Sequence, residues 1–197
     1  MERTWIVVAF GDIKGFGQWT SRAASSPEVK EPFLDSFYKS LESYVEERSD
    51  VYFKYLGDGF MVCREFNKKD SKSICSFLKT IQILTNDIKK DIRKSGYPQP
   101  DGFRIRIAAG DVYKVYVLDP NDPERKRKIP EFLEYATNQA AHLLKVNPEI
   151  TCLATEIVVK ALGKYRSVFR VRPLEEPSAY PESVNKVDIQ TLKVLKF

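Results

Sequence analysis

The sequence has few of the residue types that bind zinc or form disulfides. It contains one histidine and three cysteines in 197 residues. Cys63, Cys75 and Cys152 lie far apart and show no CxxC spacing. This spacing argues against a zinc site and against a disulfide framework. The pattern predicts reduced thiols and a cytoplasmic protein.

Long apolar runs are also missing. No apolar stretch approaches the ~20 residues that a transmembrane helix needs. Met1-Glu2-Arg3 leads straight into a β-like run, with no signal-peptide core and no cleavage site. We therefore expect no membrane partner. The length of 197 residues fits one domain spanning residues 1–197.

The excess of positive charge is small, at +5. It suits an anionic ligand such as a nucleotide, and a solvated basic surface explains it equally well. Aromatic and basic residues alternate at Lys164–Arg172, where the period predicts a strand, so no nucleic-acid partner is expected. The basic cluster Arg125–Lys128 is interpreted as a solvated loop, with a flexible anion contact as the alternative.

The order of apolar patterns predicts an α+β fold. Strands are expected at Thr4–Phe10, Val51–Leu56, Phe60–Arg64, Phe103–Ala109, Val112–Leu118, Ser167–Arg172 and Lys186–Leu195. Helices are expected at Glu28–Arg48, Asp70–Lys94, Glu131–Val146 and Thr155–Leu162. Gly110-Asp111 would form a turn or bulge, and Asp119–Lys128 a polar loop. The front part matches a ferredoxin-like βαββαβ unit, a mostly antiparallel sheet with helices on one face. A small αβ extension follows it at the C-terminus.

Two aspartates occupy glycine-containing turns at the ends of predicted central strands. Asp12 lies just past the strand Thr4–Phe10, and Asp58 lies between Gly57 and Gly59 in a predicted β-hairpin turn. Each alone is explained as a turn residue that satisfies its own backbone. In a βαββαβ sheet, however, the first strand can lie beside the hairpin. Asp12 and Asp58 are therefore expected to meet.

Two converging carboxylates need a neutralising partner, because like charges a few ångströms apart raise a pKa. Magnesium or manganese fits, since these hard cations take oxygen ligands. Two such ions about 3.5–4 Å apart can clamp the attacking and leaving oxygens of a phosphoryl displacement. The glycines near Asp12 let backbone amides, including those of Gly15 and Phe16, approach a triphosphate. The expected cofactors are two Mg²⁺ or Mn²⁺ ions, and the expected substrate is a nucleoside triphosphate.

Four segments together resemble class III nucleotidyl cyclases. Phe10–Phe16 (FGDIKGF) resembles the family's first metal-binding motif, F-x-D-I-x-G-F, and Lys54–Phe60 (KYLGDGF) resembles its K-x-x-G-D-G-F hairpin. Phe103–Gly110 (FRIRIAAG) is similar to the strand R-x-G-I-x-x-G, and Tyr135–Leu143 (YATNQAAHL) to the helix V-N-x-A-A-R-L. The four occur in the family's order, with the family's spacing between the first two.

The resemblance implies a homodimer with each active site at the subunit interface. Asp12 and Asp58 of one subunit would hold two metal ions, assisted by the backbone carbonyl of Ile13. Lys54 of the other subunit occupies the position that contacts the base. An exposed strand lysine is the alternative, and the motif context favours the base contact. Asn138 would orient the ribose. Glu131 falls roughly where the family keeps an aspartate that partners this lysine.

Two positions depart from the family pattern. His142 stands where the family has its transition-state arginine, and Arg106 replaces a glycine. A fixed cation on developing phosphate charge can be worth 10³–10⁵ in rate, and a histidine lacks the guanidinium fork. Four candidates could substitute for that arginine: Arg104, Arg106, Lys145 and the Arg125–Lys128 loop. Lys186 is the candidate for the lysine that holds the triphosphate.

The sequence shows no sensor, membrane or coiled-coil segment. In this respect, and in the residues of Glu131–His142, it resembles the free-standing bacterial Pycsar pyrimidine cyclases. That resemblance implies conversion of UTP or CTP to cUMP or cCMP in antiphage defence, with a separate cyclic-nucleotide effector protein downstream. One alternative is an adenylate or guanylate cyclase. Another is a non-catalytic nucleotide-binding partner of an active cyclase, which His142 favours. The retention of both Asp12 and Asp58 weighs against that second alternative.

Overall fold

The computed structural model describes residues 1–21, 27–46, 50–94, 103–119, 124, 126–133, 135–144, 152–169, 171–173 and 186–189. Its strands are β1 (Glu2–Ile13), β2 (Tyr52–Tyr55), β3 (Gly59–Glu65), β4 (Phe103–Leu118), β5 (Lys128–Leu133), β6 (Cys152–Thr155), β7 (Val171–Pro173) and β8 (Lys186–Ile189). Its helices are α1 (Phe16–Ser21), α2 (Pro27–Glu46), α3 (Ser71–Lys94), α4 (Tyr135–Leu143), α5 (Glu156–Ala161) and a 3₁₀ helix at Gly163–Val168. In the described part of the chain, no helix has the length and apolar character to cross a bilayer.

All eight strands form one sheet in the order β2-β3-β1-β4-β6-β8-β7, and β5 pairs with the outer half of β4. Every pairing is antiparallel except that of β4 with β6. The order β2-β3-β1-β4 is that of a split βαββαβ unit. The predicted α+β fold is confirmed.

The central strand β1 is apolar on both faces, and each face packs into its own core. Val7 and Ala9 point toward the face that α2 and α3 cover, whereas Ile6 and Val8 point toward α4. The two helices of the βαββαβ unit, α2 and α3, lie on one face as predicted, and α4, which follows that unit, packs on the opposite face. A strand with two apolar faces needs a cover on both.

The sheet curls over the α4 side, which we call the concave face. Three strands separate β2 from β5 in the sheet order, yet the rings of Tyr52 and Phe132 lie 4.9 Å apart between centroids. Small residues of α4, Ala136 and Ala140, are fully buried in this core. Their size lets the helix approach the sheet closely.

The structure corrects the prediction around β4 and β5. The expected turn or bulge at Gly110-Asp111 is wrong, because Gly110 and Asp111 pair in unbroken register with Ile6 and Trp5 of β1. The helix predicted from Glu131 begins only at Tyr135. Residues of the predicted loop and helix instead form β5. Pro130 is tolerated there because, among the described strands, β5 pairs with β4 alone.

Outside this region the predicted elements agree with the structure, apart from one strand, and two observed elements, α1 and β6, were not assigned from the sequence. The strand expected at Ser167–Arg172 is wrong, since Gly163–Val168 is a 3₁₀ helix and β7 starts at Val171. Helix α1 was not predicted from its glycine-rich sequence. The predicted last strand is described only as β8, and its remaining residues lie outside the described part.

Candidate active site

Asp12 and Asp58 are brought together at one end of the sheet, as predicted. Strand β1 pairs with β3 so that Asp12 lies opposite Gly59. The Ile13 amide donates a hydrogen bond to the Asp58 carbonyl at 3.2 Å. Asp58 sits at the tip of the β2–β3 hairpin, which Gly57 allows by adopting a φ of 69°. Two carboxylates that are 46 positions apart in sequence therefore share one edge of the molecule.

The electrostatics of this pair favour a bound cation. Burial raises the pKa of the Asp58 carboxyl above its ordinary value, and the negative charge of Asp12 raises it further. The backbone amide of Asp58 and the cation of Arg104 act in the opposite direction. Without a cation the ionised pair is therefore unfavourable.

Arg104 is the cation that the structure places on Asp12. The two residues lie opposite each other on β4 and β1. The Arg104 Nε donates to Asp12 Oδ2 at 2.8 Å, and Nη2 contacts the same oxygen. Their side chains are only 21% and 19% exposed, so water screens the pair weakly.

The donors at this edge fit magnesium or manganese better than zinc. Two carboxylates offer hard oxygen ligands, and the predicted carbonyl ligand Ile13 directly follows Asp12. The described residues contain no group of three or more histidine, cysteine, aspartate or glutamate side chains that could complete an all-protein site. Part of the coordination of any ion here would therefore come from water or substrate.

The glycine turn after Asp12 starts α1. Gly15 has a φ of 77°, and its carbonyl accepts a hydrogen bond from the Trp19 amide at 2.9 Å. The Phe16 ring packs on Trp19, with 5.5 Å between the ring centroids. Gly15 and Phe16 thus lie beside the carboxylate edge, and their contact with a triphosphate stays a prediction.

Lys54 and Glu131 form an ion pair across the concave face. The Lys54 Nζ lies 2.5 Å from Glu131 Oε1, with side chains 48% and 26% exposed. Lys54 lies opposite Met61 on β3, which in turn lies opposite Phe10 on β1, two residues before Asp12. Cross-strand neighbours and alternate residues of a strand share a face, so Lys54 and Asp12 are on the same side of the sheet.

Helix α4 presents Asn138 and His142 to the surface. Both are exposed and lie four residues apart, while Ala136 and Ala140 face the sheet. The C-terminal end of α4 is held from below by Arg106, whose Nε donates to the Leu143 carbonyl at 2.9 Å. Asn138 and His142 therefore project from a helix that is anchored to β4.

The other cations that could replace the family's arginine, or hold the triphosphate, lie in different surroundings. Arg106 is fully buried against backbone carbonyls, so it cannot reach a ligand at the surface. Lys126 pairs with Glu124 at 2.7 Å. Arg127 lies 3.6 Å from Asp119, and Lys128 is the first residue of β5. Arg125 and Lys145 lie outside the described part. Lys186 is described only by its backbone pairing with Thr155.

Sequence reasoning missed a polar cluster on the concave face. Lys114 donates to Glu65 at 2.5 Å and to the Tyr52 hydroxyl at 3.1 Å, and Thr4 donates to the same carboxylate at 2.7 Å. Burial works against an ionised Glu65, but these hydrogen bonds outweigh it and lower the pKa of that carboxyl. The sequence did contain a sign of this cluster. Arg104, Arg106 and Lys114 are separated by even numbers of residues in β4, which places all three on one face of the strand.

No family model and no curated protein matches the chain. Solved structures match in fold. The guanylyl cyclase Cya2 superposes with a TM-score of 0.75 at 15% identity, covering 98% of this chain and 95% of that one. The adenylyl cyclase CyaB from Pseudomonas aeruginosa gives 0.72 at 16% identity, covering 98% and 97%. A non-canonical dimeric guanylyl cyclase domain of the RhoGC fusion protein from the aquatic fungus Blastocladiella emersonii gives 0.55 at 16% identity, covering 89% and 91%. The chain therefore has the fold of class III adenylyl and guanylyl cyclase domains.

Proposed function

We propose that this chain is a metal-dependent nucleotidyl cyclase that converts a nucleoside triphosphate to a 3′,5′-cyclic monophosphate and pyrophosphate. One observation carries the proposal: Asp12 and Asp58 meet at the end of β1 and the β2–β3 hairpin, within a cyclase fold. The carboxylates are oxygen donors for two Mg²⁺ or Mn²⁺ ions.

In the proposed reaction the ribose 3′-oxygen bonds to the α-phosphorus, the bond from that phosphorus to the β-bridging oxygen breaks, and the 3′-hydroxyl proton is lost to solvent. The metal ions would supply charge stabilisation at the attacking and leaving oxygens. Asn138 would orient the ribose, and His142 would face the phosphate charge. Lys54 and Glu131 of the second subunit would hold the base, since they present a donor and an acceptor that lie 2.5 Å apart.

We propose a homodimer in which Asp12 and Asp58 of one subunit meet Lys54 and Asn138 of the other. An exposed apolar surface supports a second copy of the chain. It lies on both faces of the β4–β5 hairpin, with Tyr113, Val117 and Leu133 on one face and Tyr116 and Leu118 on the other. Several exposed apolar side chains on one hairpin fit an interaction surface.

The proposed substrate is a pyrimidine nucleotide, UTP or CTP, giving cUMP or cCMP. The departures at Arg106 and His142 and the glutamate at position 131 support a member that differs from purine cyclases. A lysine donor beside a carboxylate acceptor complements the ring nitrogen and amino group of cytosine, and equally those of adenine. An adenylate or guanylate cyclase is therefore the alternative. Antiphage signalling to a separate effector protein, in the cytoplasm, belongs to the same proposal.

A non-catalytic nucleotide-binding partner of an active cyclase is the second candidate function. Two observations favour it: His142 stands in place of the family's arginine, and Arg106 is buried instead of facing a ligand. Such a protein would bind nucleotide and a cyclase subunit without forming product.

The test incubates the purified protein with Mn²⁺ and each of the four nucleoside triphosphates and identifies the cyclic product by mass. We expect product from CTP or UTP and none from the Asp58→Ala variant. Asp50→Ala is the matched control, since Asp50 is a surface aspartate that pairs with Arg64 at 2.6 Å. Product from ATP or GTP alone would establish the purine alternative. No product, with nucleotide binding retained, would establish the regulatory partner.

A further inference from the structure

We propose that Tyr38 is a positioning residue, which holds the tip of the β2–β3 hairpin so that the Asp58 carboxylate faces the metal ions. The juxtaposition that carries this is a hydrogen bond of 2.7 Å from the Tyr38 hydroxyl to the carbonyl oxygen of Gly57, the residue before Asp58. The bond joins helix α2 to a turn that lies 19 residues further along the chain. The link to catalysis rests on the proposed function, whereas the link to metal binding is tested without it.

The peptide unit between Gly57 and Asp58 needs a restraint from outside the hairpin. The hairpin closes between Leu56 and Gly59, whose backbone groups bond to each other at 2.9 and 3.3 Å. Gly57 and Asp58 are therefore the two central residues of the turn, and Gly57 has a φ of 69°. A glycine at the first central position is compatible with type I′ and type II′ turns, which differ in the orientation of the peptide between the central residues. The turn alone thus does not fix the direction in which Asp58 projects.

The Tyr38 hydroxyl supplies that restraint. The carbonyl of this peptide unit, that of Gly57, accepts the hydroxyl proton, and its amide, that of Asp58, donates a hydrogen bond to the Asp58 carboxylate. The next peptide unit is already held, since the Asp58 carbonyl accepts from the Ile13 amide at 3.2 Å. A flip of the first unit would break the Tyr38 bond and turn the amide away from the carboxylate. One hydroxyl therefore constrains both the backbone and the side chain of Asp58.

A closed circuit of six aromatic rings holds Tyr38 in place. Neighbouring rings have centroids 4.9–6.5 Å apart, and their order is Phe37, Tyr38, Tyr55, Phe53, Phe60 and Phe103. Three members, Phe37, Phe60 and Phe103, are at most 2% exposed, so the circuit is anchored in the core. The Tyr38 ring is thus ordered by packing, and its hydrogen bond to the turn costs little further side-chain entropy.

The accessibility of this bond separates a role in positioning from a role in folding. The hydrogen bond is exposed to solvent, and a bond that water can replace contributes little to stability. Water can satisfy the Gly57 carbonyl in either orientation of the peptide, whereas the Tyr38 hydroxyl reaches it in one. Loss of the hydroxyl should therefore affect the direction of the Asp58 carboxylate more than the stability of the fold.

The experiment compares the wild type with Tyr38→Phe, which removes one oxygen and keeps the ring. Isothermal titration calorimetry measures the affinity of each protein for Mn²⁺ alone, and urea unfolding measures the stability of each. We expect Tyr38→Phe to bind Mn²⁺ roughly three- to tenfold more weakly, because the turn then populates a second orientation that binds the ion less well. A merely structural role would lower stability and leave the Mn²⁺ affinity of the folded protein unchanged.

Tyr55→Phe is the matched control. It removes the same atom from the adjacent ring, where the hydroxyl lies 3.5 Å from the Glu42 carboxylate instead of contacting the turn. Its Mn²⁺ affinity should equal that of the wild type.

Nuclear magnetic resonance of the metal-free proteins provides a readout that involves no metal. Relaxation dispersion should show microsecond-to-millisecond exchange at the Gly57 and Asp58 amides in Tyr38→Phe but not in the wild type or Tyr55→Phe. No such exchange in Tyr38→Phe would overturn the role of the hydroxyl in fixing the peptide.

Weaker Mn²⁺ binding by Tyr38→Phe, with wild-type binding by Tyr55→Phe, supports the inference. Wild-type Mn²⁺ affinity in Tyr38→Phe overturns it, even if the wild type forms cyclic product. Equal losses in both variants also overturn it, since they would indicate a general effect of the aromatic circuit. If Tyr38→Phe alone binds Mn²⁺ more weakly but the wild type forms no product from any nucleoside triphosphate, the cyclase proposal fails and this inference stands.

Discussion

Lys54 and Glu131 lie 77 residues apart in sequence, on strands separated by three others, and their charged atoms are 2.5 Å apart. A half-exposed ion pair of this kind contributes only about 0–1 kcal/mol to stability. Its position on the face that carries Asp12 fits a role in ligand binding better than a role in folding.

Replacing Lys54 with methionine should therefore leave the unfolding free energy nearly unchanged and impair use of the preferred nucleotide. We expect a loss on the order of 10–100-fold in kcat/KM, because a carboxylate and a base edge lose their shared donor. Steady-state kinetics with all four triphosphates checks this, alongside urea unfolding. The matched control is Lys39→Met, which removes a pair between the exposed side chains of Lys39 and Asp35.

Equal losses for all four nucleotides would contradict a role of Lys54 in base selection. A large drop in stability would contradict the assignment of the pair to binding. Glu131→Gln provides a second check, since it keeps an acceptor oxygen and removes the charge. This substitution should change the ratio of kcat/KM between nucleotides more than it changes kcat for the preferred one.

The raised pKa of Asp58 predicts how stability varies with pH. Burial, followed by the charge of Asp12, makes the folded protein hold this proton more tightly than the unfolded chain does. The contribution of Asp58 to stability is thus fully present below its ordinary pKa of 3.8 and is lost as pH rises through the folded-state value. At neutral pH the metal-free protein therefore carries an unfavourable ionised carboxylate.

Asp58→Asn should accordingly be more stable than the wild type at pH 7 without metal, and the difference should vanish as pH approaches 3.8. Adding Mn²⁺ should reverse the order, because the ion stabilises the protein that binds it. Thermal unfolding between pH 3.5 and 8, with and without Mn²⁺, measures both effects. A variant that is less stable than the wild type at pH 7 without metal would contradict the electrostatic argument.

The meeting of Asp12 and Asp58 could be predicted from sequence, because both turns carry local signals. An apolar run that stops at glycines marks the end of β1, and Gly57-Asp58-Gly59 marks a hairpin. The order of strands and helices was then enough to predict a βαββαβ unit, in which the first strand lies beside the hairpin. These are short-range features that tertiary contacts seldom override.

The partner of Lys54 could be placed only roughly. Glu131 fell within a pattern that predicted a helix, and proline is uncommon inside strands. The strand β5 exists because the outer half of β4 offers a free edge, which is a tertiary fact. The burial of Arg106 could not be predicted either. The period-two pattern of β4 shows which residues share a face, but it does not show which face a helix will cover.

His142 provides a test of the missing arginine. His142→Arg would place a fixed cation in the last turn of α4, where positive charge also suits the helix dipole. We expect turnover to rise on the order of tenfold or more, out of the 10³–10⁵ that such a cation can supply. His142→Gln, which cannot carry the charge, should not raise turnover. Single-turnover rates with saturating nucleotide would measure the change.

If His142→Arg folds and binds nucleotide but turnover does not rise, the side chain at position 142 does not face the reacting phosphate. Arg104 would then be the cation to examine next, since it already lies at the Asp12 edge.

The contact between the hairpin and β1 depends on a glycine that leaves no room for a side chain. A Cβ on Gly59 would lie 2.5 Å from the Gly11 carbonyl oxygen, which is backbone and cannot move independently. Gly59→Ala should therefore push β3 from β1 where Asp58 and Asp12 meet. We expect a loss of about 1–3 kcal/mol in stability and a weaker affinity for Mn²⁺.

Gly17→Ala is the matched control, because a Cβ there would meet nothing within 4 Å. Gly17 lies in α1, so alanine should stabilise the protein by up to about 1 kcal/mol. Urea unfolding and Mn²⁺ titration of both variants separate the effect of close packing at Gly59 from a general effect of adding a methyl group. Wild-type Mn²⁺ affinity in a folded Gly59→Ala protein would show that the spacing of β1 and β3 does not set the metal site. The two carboxylates would then have to reach a common ion through side-chain rotation alone.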